Sequence, residues 1–109
     1  MSDVFLVLCT FPNLEQARQI GTVLVERQLV ACVNFVPAVE SIFRWQGKVE
    51  TATEVLAIFK TTQAGFATFS QALTELHPYE VPEIIGLSPE QISEPYRLWV
   101  FNNVGLRDQ

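Results

Sequence analysis

Val4-Phe5-Leu6-Val7-Leu8-Cys9 is an apolar run without polar alternation, the pattern of a central strand buried on both faces or of one packed under helices. Thr10-Phe11-Pro12-Asn13 breaks it. Asn13 with Gln16 three residues on reads as a helix start. Leu14, Ala17, Ile20, Gly21, Leu24 and Gln28 then recur at helical spacing, which predicts a helix over 13–28. Leu29 to Trp45 is a second β-rich run. Pro37 within it cannot donate to a ladder and marks an edge position or a bulge. Gln46-Gly47 reads as a hairpin tip, and Lys48 to Thr61 as the return strand. Each arm spans about 14 residues against a usual ~5–6, so a long hairpin projects from a small core and calls for a covering surface.

Thr62 is the predicted cap of a second helix, whose apolar face is Phe66, Phe69, Leu73 and Leu76. His77-Pro78 ends it, because the residue before proline is pushed out of the α region. Tyr79 to Pro82 is extended, Glu83 to Leu87 is a short fourth strand, and Ser88-Pro89 turns the chain. Ser93 caps a last helix from Glu94 to about Val104, with Pro95 in its first turn and Tyr96, Trp99, Val100 and Val104 on its apolar side. The order βαββαβ plus a C-terminal helix predicts an α+β, ferredoxin-like split βαβ sandwich. It has two helices on one face of an antiparallel sheet and an open face that needs a partner.

The length of 109 residues makes residues 1–109 a single domain. At 49% hydrophobic residues the chain is not disordered. No apolar stretch approaches the ~20 residues of a membrane span, so no membrane partner is expected. Met1-Ser2-Asp3 has no basic character before the apolar run, and cytoplasmic residence is the expectation. The formal charge of −5 repels phosphate backbones and argues against nucleic acid. Charged residues are only 17%, below the usual ~25%. With the long hairpin, that favours an oligomer. The two cysteines, Cys9 and Cys32, form no C-x-x-C pair. The sequence has no G-x-G-x-x-G, P-loop or H-E-x-x-H motif, and the chain is not expected to be an enzyme.

Several segments together resemble the CutA family of divalent-cation tolerance proteins. They are Val7-Leu8-Cys9-Thr10, Ala31-Cys32-Val33-Asn34 with Val36-Pro37, and Ser41 to Glu50 across the Trp45-Gln46-Gly47-Lys48 hairpin tip. Lys60-Thr61, His77-Pro78-Tyr79-Glu80-Val81-Pro82-Glu83-Ile84-Ile85, Tyr96 and Trp99 complete the set. The resemblance implies a ferredoxin-like subunit in a tight homotrimer whose edge strands pair between subunits. It also implies an architecture similar to the PII signalling proteins. Family members are linked to tolerance of copper and other divalent metals, so Cu or another divalent cation is the candidate ligand, with no established cofactor.

The resemblance places a copper ligand at Cys9, as thiolate suits Cu(I). The residues alone also allow a small buried hydrophobe there. Cys32, among Val30, Ala31 and Val33, reads as structural. His77, the single histidine, is the second candidate metal ligand or else a helix C-cap. Some family members carry two consecutive histidines here, and this chain has Leu76 at the first. Cys9 and His77 alone make an incomplete site, to be completed by Glu80, Glu54 or a neighbouring subunit. Arg44, Glu54, Lys60, Tyr79 and Glu80 are candidates to line a cleft between subunits, with Lys60 an anion contact and Glu54 its partner. In that alternative the trimer is a PII-like regulatory scaffold for a small anionic ligand. The competing reading for the charged members is a solvated strand end.

Overall fold

The computed structural model describes residues 3–105. Its elements are β1 (Val4–Phe11), α1 (Leu14–Glu26), β2 (Cys32–Trp45), β3 (Lys48–Thr62), α2 (Phe66–Leu76), β4 (Ile85–Leu87) and α3 (Glu94–Asn102). The strands form one antiparallel sheet in the order β2-β3-β1-β4, the ferredoxin-like arrangement expected. Among the described residues no helix is long and apolar enough to cross a membrane.

Strand alternation sorts the side chains into two faces. Val7, Cys9 and Phe11 of β1, with Val55, Ala57 and Phe59 of β3, point to the side covered by α1 and α2. There they meet Ala17, Ile20 and Leu24 from α1 and Phe69 and Leu73 from α2, all buried. Phe59 is the hub, with its ring 5.1 Å from Phe69 and 6.5 Å from Phe11. The opposite face is only partly covered. Val4, Ala31, Val100 and Val104 form a small second core where α3 crosses one end of it. Leu6 and Leu8 on that face are half-buried, so β1 is central but fully enclosed on one side only.

The element ends differ from the sequence reading for local reasons. β1 runs on through Thr10 and Phe11, which pair with Leu56 and Val55, and the break comes at Pro12. The Asn13 side chain caps α1 by accepting from the Gln16 N–H at 2.8 Å. That helix ends two residues early, because Gln28 adopts φ 61° and closes the last turn through the Leu29 N–H to the Leu24 carbonyl. β2 begins at Cys32 rather than Leu29. Its register against β3 slips between Val36 and Val39, so Pro37 sits at a bulge on an edge strand. Thr62 ends β3 and holds the turn before α2 by accepting from the Gly65 N–H at 3.0 Å, while the helix itself starts at Phe66. β4 has only three residues. Ser93 occupies the cap position of α3 without a side-chain cap bond. Tyr96 and Trp99 do not join Val100 in the core. They are 39% and 45% exposed and stack on each other at 5.7 Å.

The hairpin tip is the two-residue turn the sequence implies, with φ 51° at Gln46 and 81° at Gly47. β1 pairs with β3 only as far as Val55, so Val39–Trp45 and Lys48–Glu54 continue as a two-stranded ribbon. Ile42, Phe43, Trp45 and Val49 on that ribbon are exposed.

Candidate metal-handling site and acidic groove

The segment after α2 folds across the end of β1, and Pro78 sets where it leaves the helix. The His77 ring is buried and stacks on Phe11 at 4.6 Å. Its Nε2 lies 2.8 Å from the Thr10 carbonyl, and its Nδ1 accepts the Tyr79 N–H at 3.0 Å. A carbonyl only accepts, so Nε2 carries the proton and the ring is neutral. Burial lowers its pKa, opposed by the Thr10 contact and by the nearby Glu54 charge. Tyr79 returns over the ring at 4.9 Å and donates its hydroxyl to Glu54 Oε2 at 2.5 Å. Burial, then the Glu54 contact, raises the Tyr79 phenol well above its ordinary value.

Cys9 lies one rung from this point. Its thiol is fully buried, 3.7 Å from the same Thr10 carbonyl that His77 uses. Burial and then the charge of Glu83 push its pKa up to about 12, with Glu54 adding to the rise. Cys9 and His77 are thus brought to one carbonyl, as neutral groups with their protons engaged. Leu76, half-buried against the core, offers no donor.

The other candidates separate. Glu54, Tyr79 and Glu80 line a groove of about 830 Å³ between the hairpin ribbon and residues 78–83. Lys60 lies six residues from Glu54 along β3, or about 20 Å of extended strand, and bonds to the Asn34 side chain. It therefore does not pair with Glu54. Arg44 sits at the hairpin tip, its guanidinium 3.5 Å from the Gly47 carbonyl. Neither cation lines the groove. Glu40 and Glu83 do, and the sequence reading did not single them out. Counting back from the two-residue turn puts Val39 opposite Glu54. Glu40 pairs with Thr53, one rung on, so strand alternation offered no signal that it lines the same groove as Glu54. Phe43 and Trp45 supply apolar wall. Cys32 is on the opposite sheet face from Cys9, 3.6 Å from the Tyr96 hydroxyl. Both thiols are free, and the alternation of faces keeps them from bridging.

The family model described as CutA1 divalent ion tolerance protein matches residues 5–103, from β1 to the end of α3. The chain belongs to the CutA1 family. It is 44% identical over 100 residues to the divalent-cation tolerance protein CutA of Thermus thermophilus, covering 92% of this chain and 97% of that one. It is 42% identical over 98 residues to human Protein CutA, spanning 90% of this chain but only 55% of the human protein. Among solved structures, the Thermus thermophilus CutA1 superimposes with a TM-score of 0.90 at 43% identity, covering 94% of this chain and 99% of that one. The CutA of Xylella fastidiosa gives 0.91 at 37% identity with the same coverage. The ferredoxin-like subunit is therefore the CutA1 fold. In this CutA1 chain the segment from His77 to Ile85 builds both the closure over β1 and one wall of the groove.

Proposed function

We infer that the chain binds divalent cations, copper among them, as a homotrimer, and that this binding serves the divalent-cation tolerance its family is named for. The observation that carries the reading is the collection of donors and uncompensated negative charge at the end of β1. Cys9, His77, Glu54 and Glu83 gather there, and the carboxylates raise the cost of removing the thiol proton. A cation reverses that electrostatic sign: it favours thiolate and draws neutral imidazole away from its hydrogen bonds. Among the described residues no three His, Cys, Asp or Glu side chains are close enough to hold one ion. The metal is cargo in this reading, and its full shell takes donors from a neighbouring subunit. Residence in the cytoplasm and the absence of a catalytic role belong to the same proposal. The anion-binding scaffold has less support, because the charged residues lining the groove are all carboxylates.

The test is a chelator-competition titration of reduced, metal-free protein with Cu(I), Cu(II) and Zn(II), run beside the Cys9→Ala, His77→Ala double variant. Binding at a fixed ratio per subunit or per trimer, lost in the variant, is the expected result. Weak binding of equal strength in both proteins would show that these residues are not the ligands.

A further inference from the structure

We propose that Tyr79 is a latch, which holds His77 closed to a cation and ties that closure to the position of the hairpin ribbon. This role rests on the cation-binding reading above and adds the regulation of the same site. Tyr79 holds two groups at once. Its backbone N–H donates to His77 Nδ1 at 3.0 Å, and its hydroxyl donates to Glu54 Oε2 at 2.5 Å. The two His77 nitrogens are not equivalent toward a cation. Nε2–H is given to the Thr10 carbonyl at 2.8 Å, the kind of contact that orients a histidine ligating through its other nitrogen. Nδ1 is the acceptor nitrogen of the neutral ring, and the Tyr79 N–H occupies it. A cation and that N–H therefore exclude one another, and one hydrogen bond stands between the resting ring and its use as a ligand.

What holds that N–H in place lies on the hairpin. Glu54 is buried and stands where the ribbon leaves the sheet. β1 pairs with β3 as far as Val55, and Glu54 faces Val39 on the first rung beyond. The register slip between Val36 and Val39 falls at the same level, and a bulged strand bends where its ladder is disrupted. The root of the ribbon is thus two strands with an interrupted ladder, a weaker joint than the sheet beside it. The Tyr79–Glu54 bond crosses this joint to the segment after α2. A hydroxyl given to a carboxylate makes one of the stronger hydrogen bonds, so Tyr79 follows the ribbon. A cation at His77 then loosens the ribbon root. Conversely, a ribbon drawn away from Tyr79 frees Nδ1 and raises the affinity of the site, because coupling between two sites is reciprocal. Tyr79 is a positioning residue in this device and not a ligand.

Tyr79→Phe keeps the backbone N–H and the ring and removes the bond to Glu54. Its affinity for Zn(II), measured by chelator competition, is expected to rise about tenfold. In a His77→Ala background the same substitution is expected to leave the residual binding unchanged, because no ring remains for the latch to close. Tyr79→Phe also deprives buried Glu54 of its donor. The comparison is therefore repeated between Glu54→Gln and the Glu54→Gln, Tyr79→Phe double variant, where no unpaired charge is created. The glutamine carbonyl still accepts the hydroxyl, so a rise is expected there too, with circular dichroism showing the fold retained. The hairpin is read through Trp45, the sole tryptophan once Trp99→Phe is made. Zn(II) is expected to shift the Trp45 emission, and Tyr79→Phe to shift it in the same direction without metal. Zinc affinity that Tyr79→Phe leaves unchanged beside both Glu54 and Gln at that position, a rise that persists without His77, or an unmoved Trp45 emission would overturn the latch while the cation reading stands. A wild-type protein that binds no zinc and no copper would overturn both.

Discussion

His77 sits where a metal ligand was expected, but the protein already uses both of its ring nitrogens. Its Nδ1 accepts a backbone N–H and its Nε2 donates to a carbonyl, so protonation leaves two donors facing one another at Tyr79. The folded-state pKa is lowered by burial, and the unfolded chain binds the proton more readily. The stabilising contribution of the neutral ring is therefore complete above the ordinary value of 6.5 and declines as pH falls through the lowered folded-state value. A thermal melt series from pH 7.5 to about 5 is expected to show this loss, and His77→Gln to flatten it. Phe59 makes a second residue-scale prediction. It is fully buried between Phe11 and Phe69, so Phe59→Ala is expected to cost about 3–5 kcal/mol in denaturant unfolding. Positions 9, 77 and 79 were legible as chemistry-bearing residues, but their protonation and partners were not. Those depend on the Thr10 carbonyl, brought to His77 from a distant part of the chain.

At the scale of elements, two non-glycine residues among those described carry positive φ. Gln28 closes α1 at φ 61°, a position where glycine avoids the Cβ clash. Gln28→Gly is expected to raise unfolding stability by up to about 1 kcal/mol, read as a shift in the denaturant midpoint. At the hairpin tip, Gly47 has φ 81° with nothing within 4 Å of an added Cβ. Gly47→Ala therefore isolates backbone strain from crowding and is expected to destabilise by about 1 kcal/mol. The turn and the Pro37 irregularity were readable from residue type alone. The ends of β1 and β2 were not. Thr10 and Phe11 resemble a strand exit, yet the ladder with Leu56 and Val55 carries them on.

At the scale of the molecule, the partly covered sheet face is the outstanding feature. Ile85 and Leu87 of β4, with Leu98, Trp99 and Phe101 of α3, are exposed apolar residues of a 109-residue chain. So much exposed apolar surface marks an interface, and the homotrimer we propose gives it one. Light scattering is expected to return three times the chain mass of 12.3 kDa; the monomer mass would exclude that assembly. Arg97 ties α3 to the start of β1 by donating to Asp3 at 2.9 Å. Arg97→Ala is expected to loosen α3 and to act on assembly more than on the core between α1, α2 and the sheet.

The sequence by itself determined the element order, the α+β class and the two-residue hairpin tip. All three follow from short-range pattern and from the special conformations of glycine and proline. Its segments also carry the family, because most of them lie on strands, turns and the loop that the fold holds in place. The tertiary structure alone decided that Lys60 and Arg44 stay away from Glu54. It also decided that Cys9 and His77 meet at one carbonyl as neutral groups, and that four glutamates face one groove. Those outcomes depend on strand register, on which face each side chain takes, and on burial, quantities that exist only once distant segments have packed.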